Sequence, residues 1–303
     1  MLSSLIATDY DESPLSPTRP RPRKNQNVNR PSYRLFVLGA GFSVPAGLPL
    51  GKRLLERVRK DVRGFFQHFG WDGTLEQEIE EWSSLYPGES IDDLERVLAY
   101  SHRKHYLRLL GSDEYFEYGS RSIVAMRQAI QRILIQATPS DTPKLYRDFA
   151  QRLCPRDVVL TFNYDTLLEQ ALDDIGKPYT LTPEWWLETN RGGFEPKFVD
   201  LLKLHGSIDW YDRYYLDTAM RWHTEQGHNV PNRDPIFGPA PTVPSKPLSR
   251  GRTKVAFGDN ILPRVFRVPN HATYFPIEEE SVSQIVPFFL PPAYDKLLGY
   301  APS

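Results

Sequence analysis

Val158-Val159-Leu160-Thr161-Phe162-Asn163-Tyr164-Asp165 reads as a short buried strand breaking into a polar turn, and its reading decides the fold class. An apolar run of this length, rich in β-branched residues and bounded by turn formers, is of strand type. Downstream, Phe198-Val199-Asp200-Leu201-Leu202 leads in the same way into Lys203-Leu204-His205-Gly206-Ser207. Upstream, Leu35-Phe36-Val37-Leu38 breaks directly into Gly39-Ala40-Gly41-Phe42-Ser43. Strands of this kind, separated by helical patterns such as Thr166 to Leu172, imply an α/β fold with a Rossmann-like parallel sheet. In open α/β sheets ligands bind outside the carboxyl ends of the strands, so Asn163, Asp165 and His205 are candidates to face one.

The glycine segment says which ligand. Glycines directly after a strand let the backbone turn sharply and approach a pyrophosphate, whose charge the next helix N-terminus favours. Leu54, Leu55, Val58, Val62, Phe65, Phe66 and Phe69 recur at helical spacing, which predicts that helix over 54–69. Thr74 with Gln77, and Ser90 with Asp93, have the spacing of capping pairs that open two more helices. Ile123, Met126, Ile130, Ile133 and Leu134 mark another, stopping before Thr138-Pro139. One βαβ crossover needs far less helix, so an inserted helical module is expected over about 51–150.

With 303 residues, 40% of them hydrophobic, the chain has enough apolar material for a substantial core. A formal net charge of -1 gives no reason to expect direct nucleic-acid binding or an anionic membrane as partner. No apolar run approaches the ~20 residues that span a bilayer, and the first residues lack the apolar core of a signal peptide, so the expected address is cytoplasmic. Residues 1–30, rich in Pro, Ser, Arg and Asn, are expected to be a disordered basic tail ahead of a domain over 31–303. Arg19, Arg21, Arg23 and Lys24 either dock a partner or are solvated.

The stretch of about 209–269 reads as irregular, with a long Pro- and Arg-rich flap. Trp185, Trp186, Trp210, Tyr211, Tyr214 and Tyr215 flank the polar turns and serve either packing or stacking on a ligand, packing being the safer account. His223 and His228, with Glu225 between them, have neither cysteine company nor helical i,i+4 spacing, and no metal site is expected. Glu278-Glu279-Glu280 reads as a solvated loop.

The glycine segment departs from G-x-G-x-x-G because Val44 occupies the third glycine position; its pattern is G-A-G-x-S-x-x-x-G-x-P. The blocks LFVLGAGFSVPAGLP (35–49), VVLTFNYDTLLEQAL (158–172) and LLKLHGSIDWY (201–211) resemble, in order and rough spacing, the NAD-binding core of the sirtuin-like proteins. They look closest to the bacterial branch that hydrolyses NAD as an anti-phage defence effector. The resemblance implies NAD as substrate, with Gly39, Ala40, Gly41 and Ser43 as the diphosphate loop. It makes Asn163 the residue near the nicotinamide ribose and the attacking water, and His205 the group that contacts ribose hydroxyls and handles the proton. Gly206 and Ser207 join the binding set with His205, and Asp165 supports the turn.

Cleaving the N-glycosidic bond develops positive charge on the ribose, which suits an Asn carbonyl that orients water and a His that titrates near neutrality. An NADase that depletes the nucleotide is toxic if always on, which implies control by a partner or by homo-oligomerisation. Deacylating sirtuins carry a four-cysteine zinc module, whereas this chain has Cys154 alone, so deacylation is the less favoured reading. After a segment like Leu290-Pro291-Pro292-Ala293-Tyr294 the family continues into a helix and a strand, so the C-terminus is expected to be truncated. The alternative that follows is an inactive module sensing NAD or ADP-ribose.

Overall fold

The structure, a computed structural model, describes residues 34–69, 73–88, 91, 94–106, 120–181, 198–212, 225, 227, 246–247, 265–269, 271 and 286–289. The chain divides into two units, Met1–Ser32 and Tyr33–Ser303, and every described residue belongs to the second. The Pro-rich tail, Ser90 and Asp93, Trp185, Trp186, Tyr214, Tyr215, His223, His228, the acidic run at 278–280 and the segment from Leu290 onward lie outside the described residues.

Four short strands, β1 (Leu35–Leu38), β2 (Val158–Thr161), β3 (Tyr179–Leu181) and β4 (Val199–Lys203), form an all-parallel sheet in the order β1-β2-β4-β3. This is the α/β, Rossmann-like sheet implied by the sequence. Between β1 and its neighbour β2 the chain runs through α1 (Gly51–Phe65), α2 (Thr74–Leu85), α3 (Leu94–Tyr106), α4 (Arg121–Ala137) and α5 (Lys144–Arg152). After β2 comes α6 (Leu167–Asp174). Register is uniform across the central strands: Phe36, Val159 and Leu201 stand side by side, as do Leu38, Thr161 and Lys203.

Since side chains alternate along a strand, residues two apart share a face, so both rows lie on one face of the sheet and Leu35, Val37, Val158, Leu160, Asp200 and Leu202 on the other. The face holding Phe36, Val159, Leu201 and Leu181 is covered by α5 and α6, through Tyr146, Ala150, Leu167, Ala171 and Leu172. Phe36 meets Phe149 of α5 edge-on, with ring centroids 5.5 Å apart. The opposite face is more open, with Val158, Leu160 and Leu202 only half-buried. Leu35 is 63% and Val37 60% exposed, and Phe162 and Leu204, next in register on β2 and β4, are exposed as well. Parallel sheets are ordinarily buried on both sides.

The helical module has its own core. Leu54, Leu55, Val58 and Val62 form the buried stripe of α1 and, with Phe66 just after it, pack with Ile123, Met126, Ala129 and Ile130 of α4 and with Leu75, Ile79, Val97 and Leu98 from α2 and α3. The 54–69 prediction therefore holds, with the last turn tightening to a 3-10 helix at Phe66–Phe69. Ser120 caps α4, accepting a hydrogen bond from the Ile123 N–H, and α4 ends at Ala137 as expected before Pro139. The proposed Thr74–Gln77 cap is corrected: Thr74 is already helical, Gly73 holds the cap position, and the Gln77 N–H donates to its carbonyl at 3.0 Å.

Described residues of the stretch read as irregular, about 209–269, include strand segments. β5 (Gly206–Asp212), β6 (Lys246–Pro247), β7 (Val265–Arg267) and β8 (Pro287–Phe289) form an antiparallel sheet in the order β6-β7-β5-β8. Strands of two or three residues carry too few positions for a period to register. Ser207 and Asp209 also interrupt the apolar pattern of β5 although both are buried. Trp210 and Tyr211 pack inside, and Gln131 of α4 donates to the Ile208 carbonyl and the Tyr211 hydroxyl at 2.7 Å each.

Candidate functional site

The carboxyl ends of β1, β2 and β4 lie in one row and each opens into one of the three sequence blocks. The Phe162 N–H donates to the Leu38 carbonyl and the Leu204 N–H to the Thr161 carbonyl, both at 3.1 Å, so the ladder continues one residue past the strands. Asn163 and His205 each follow directly on that extra rung.

After β1 the glycine loop folds as two 3-10 turns, Ala40–Phe42 and Val44–Ala46, and α1 begins only at Gly51. The loop therefore does not feed a helix N-terminus immediately. Gly39 is in extended backbone and only Gly47, at φ 90°, needs the left-handed region, so backbone strain does not explain glycine at 39 and 41. Packing does not explain it either: a Cβ at either position meets no atom within 4 Å, so the loop backbone faces open room. Phe42 anchors the loop from behind. Its ring is edge-on to Tyr146 at 5.1 Å, and the Tyr146 hydroxyl donates to the Phe42 carbonyl at 2.8 Å. Gly39, Ala40 and Gly41 stay exposed while Ser43 turns inward and is buried.

Ser43, Asn163 and Asp165 form one hydrogen-bonded chain. The Ser43 hydroxyl donates to Asp165 Oδ2 at 2.7 Å, and Asn163 Nδ2 donates to Ser43 Oγ at 3.0 Å. A carboxylate can only accept, so the Ser43 proton points at Asp165 and its lone pairs receive the Asn163 amide. That polarity fixes the amide: NH2 toward Ser43, Oδ1 away. Asn163 is 8% exposed and its Oδ1 has no hydrogen-bond partner among the described residues, an unusual state for a buried acceptor. Asp165 Oδ1 accepts from the Leu167 N–H at 3.1 Å and so starts α6, which is the turn-supporting work expected of it.

His205 is buried in the turn between β4 and β5, with the Phe162 ring 5.3 Å and the Tyr164 ring 6.1 Å from its own. Burial pushes the Tyr164 hydroxyl well above its ordinary pKa, so it stays neutral. Gly206, at φ 77°, makes the turn from one sheet to the other, and the Ser207 hydroxyl donates to the Tyr164 carbonyl at 3.2 Å. Both have structural work beside the site. Among the described residues no group of three His, Cys, Asp or Glu could hold a metal ion, and no helix is long and apolar enough to cross a membrane.

A family model described as a SIR2-like domain matches residues 157–220, roughly one fifth of the chain. The match supports a sirtuin-like family. It spans the turns that carry Asn163, Asp165 and His205 and leaves the glycine loop outside. The match points to an NAD-related, sirtuin-like function. No curated protein matches the chain.

Sequence reasoning missed Lys203. Its ammonium, fully buried, donates to the Asp165 backbone carbonyl and to Glu169 Oε1 at 2.7 Å. Burial pushes the Glu169 carboxyl up. Nearby, Arg267 Nε donates to Asp209 Oδ2 at 2.7 Å; burial alone would raise Asp209, but Arg267 and Lys203 together hold it below the usual carboxylate range. The signal for Lys203 was present in β4, where strict alternation assigns it to the buried row with Val199 and Leu201.

Proposed function

We propose that this protein binds NAD across the carboxyl ends of β1, β2 and β4 and hydrolyses it to nicotinamide and ADP-ribose. The observation that carries the reading is the Oδ1 of Asn163, buried, without a donor among the described residues, oriented by Ser43 and Asp165, and set just past the end of β2, next to the strand that leads into His205. A buried acceptor without a donor is unfavourable by about 1–3 kcal/mol unless a ligand or a water completes it. A water held there is aligned for attack on C1′ of the nicotinamide ribose. The C1′–N1 bond breaks and its electron pair leaves with the ring nitrogen, so the pyridinium becomes neutral nicotinamide without needing a proton. Water forms the new C1′–O bond, and its proton passes to His205 and then to solvent. The open room above Gly39 and Gly41 suits the diphosphate, with loop N–H groups as donors.

Support for NAD as the substrate comes from the resemblance of the three blocks and from the SIR2-like match. The same resemblance supports a role as an anti-phage effector in the cytoplasm, held in check by a partner or by self-assembly. The exposure of Gly39, Ala40 and Gly41 favours a second reading, a module that holds NAD or ADP-ribose without turning it over. Incubation of the purified protein with NAD decides between them: free nicotinamide supports hydrolysis, and saturable NAD binding with no nicotinamide supports the binding module.

A further inference from the structure

We propose that Lys203 is a positioning residue for this site, holding the Asp165 turn and, through it, the orientation of the Asn163 amide. The inference rests on the functional reading above. A cation on the helix-covered face of a parallel sheet is costly unless its partners are well placed. The side chain of Lys203 is 0% and that of Glu169 2% exposed, and their ion pair by itself would be explained as local structure. The second bond of the ammonium is different. It lands on the main-chain carbonyl of Asp165, the residue whose carboxylate takes the Ser43 hydroxyl at 2.7 Å and the Leu167 N–H at 3.1 Å. Ser43 in turn receives the Asn163 amide at 3.0 Å. The three strand ends are therefore tied in series, β4 through Lys203, β2 through Asp165 and Asn163, and β1 through Ser43. Without the ammonium the Asp165 peptide is released, and the carboxylate, hydroxyl and amide lose their common reference.

The test separates positioning from stability. Replacing a buried ion pair with apolar residues of similar volume is often neutral or stabilising, so Lys203→Met/Glu169→Leu restores the packing while removing the tie. Lys203→Met alone is the second variant; Glu169, raised by burial, can take a proton and remain uncharged there. The first readout is NAD turnover. In either variant that melts cooperatively, kcat falls at least tenfold while KM stays within threefold of the parent. The second is the Asn163 side-chain amide in protein labelled with 15N-asparagine, assigned by its disappearance in Asn163→Asp. That pair of signals shifts or broadens in the Lys203 variants while the other asparagine side chains keep theirs. Parental kcat together with an unmoved Asn163 amide in a folded variant overturns the proposal. If the parent itself releases no nicotinamide, the hydrolase reading fails instead, and the amide signal alone judges Lys203.

Discussion

Ser43 Oγ and Asp165 Oδ2 lie 2.7 Å apart although 122 residues of chain separate them. The whole helical module is contained in that interval, so the site is joined only when β1 pairs with β2 and brings the glycine loop onto the Asn163 turn.

Ser43→Ala removes the joint. Asp165 Oδ2 and Asn163 Nδ2 both lose their partner in a buried place, which costs about 1–3 kcal/mol. Denaturant unfolding should show that loss with an unchanged slope, and NAD turnover should fall with it. Parental stability in Ser43→Ala rules out the buried chain as drawn.

Asn163→Ala and His205→Ala each reduce NAD cleavage by roughly a hundredfold, the usual scale for loss of a water-positioning or acid-base group. Binding weakens much less. Turnover at the parental rate in both variants would mean that the site lies elsewhere on the fold.

Gly41→Val abolishes nucleotide binding and leaves the fold intact. A Cβ at Gly41 meets nothing within 4 Å, so the folded protein accommodates it, while the added methyls fill the room assigned to the diphosphate. Calorimetric titration with NAD checks this against the thermal melt, and undiminished affinity removes the loop from the binding site.

Acid stability follows the Arg59–Glu76 pair. Hydrogen bonds from Arg59 hold the Glu76 carboxyl below its ordinary value, against a smaller opposing effect of burial. A carboxyl depressed in the folded state stabilises above its unfolded pKa, roughly 4.3, and that contribution is lost as pH falls through the lower folded value. Glu76→Gln is therefore less stable than the parent at neutral pH, and the gap closes below about pH 4. Thermal melts from acid to neutral pH measure it; a constant gap means the pair contributes no pH dependence.

The parallel sheet was legible because Leu35–Leu38, Val158–Thr161 and Val199–Lys203 are apolar runs bounded by turn residues. Asn163 and His205 were legible through the blocks they belong to, since single residues of those types are ordinarily caps or core groups. The antiparallel sheet was hidden because β6 and β7 draw their stability from pairing with distant strands rather than from their own sequence. Glycine at 39 and 41 was read as allowing a sharp turn and a close approach to a pyrophosphate; the backbone at Gly39 is extended, and a Cβ at either position meets nothing within 4 Å. Lys203 was not singled out: alternation in β4 puts it in the buried row, but the partners that make a buried lysine tenable, Glu169 and the Asp165 carbonyl, lie 34 and 38 residues away in sequence.

The exposed edge of the sheet at Leu35 and Val37 also decides how this protein can be handled. Leu35 and Val37 are already wet, so exchanging them for threonine or lysine removes almost no buried contact, whereas the same change at Phe36, packed against Phe149, opens the core. Those two positions are where a more soluble form can be engineered without touching the loop that follows them. A double Leu35→Thr/Val37→Lys variant should stay monodisperse at the concentrations that crystallisation and NMR demand, with the pocket chemistry left as nature wrote it.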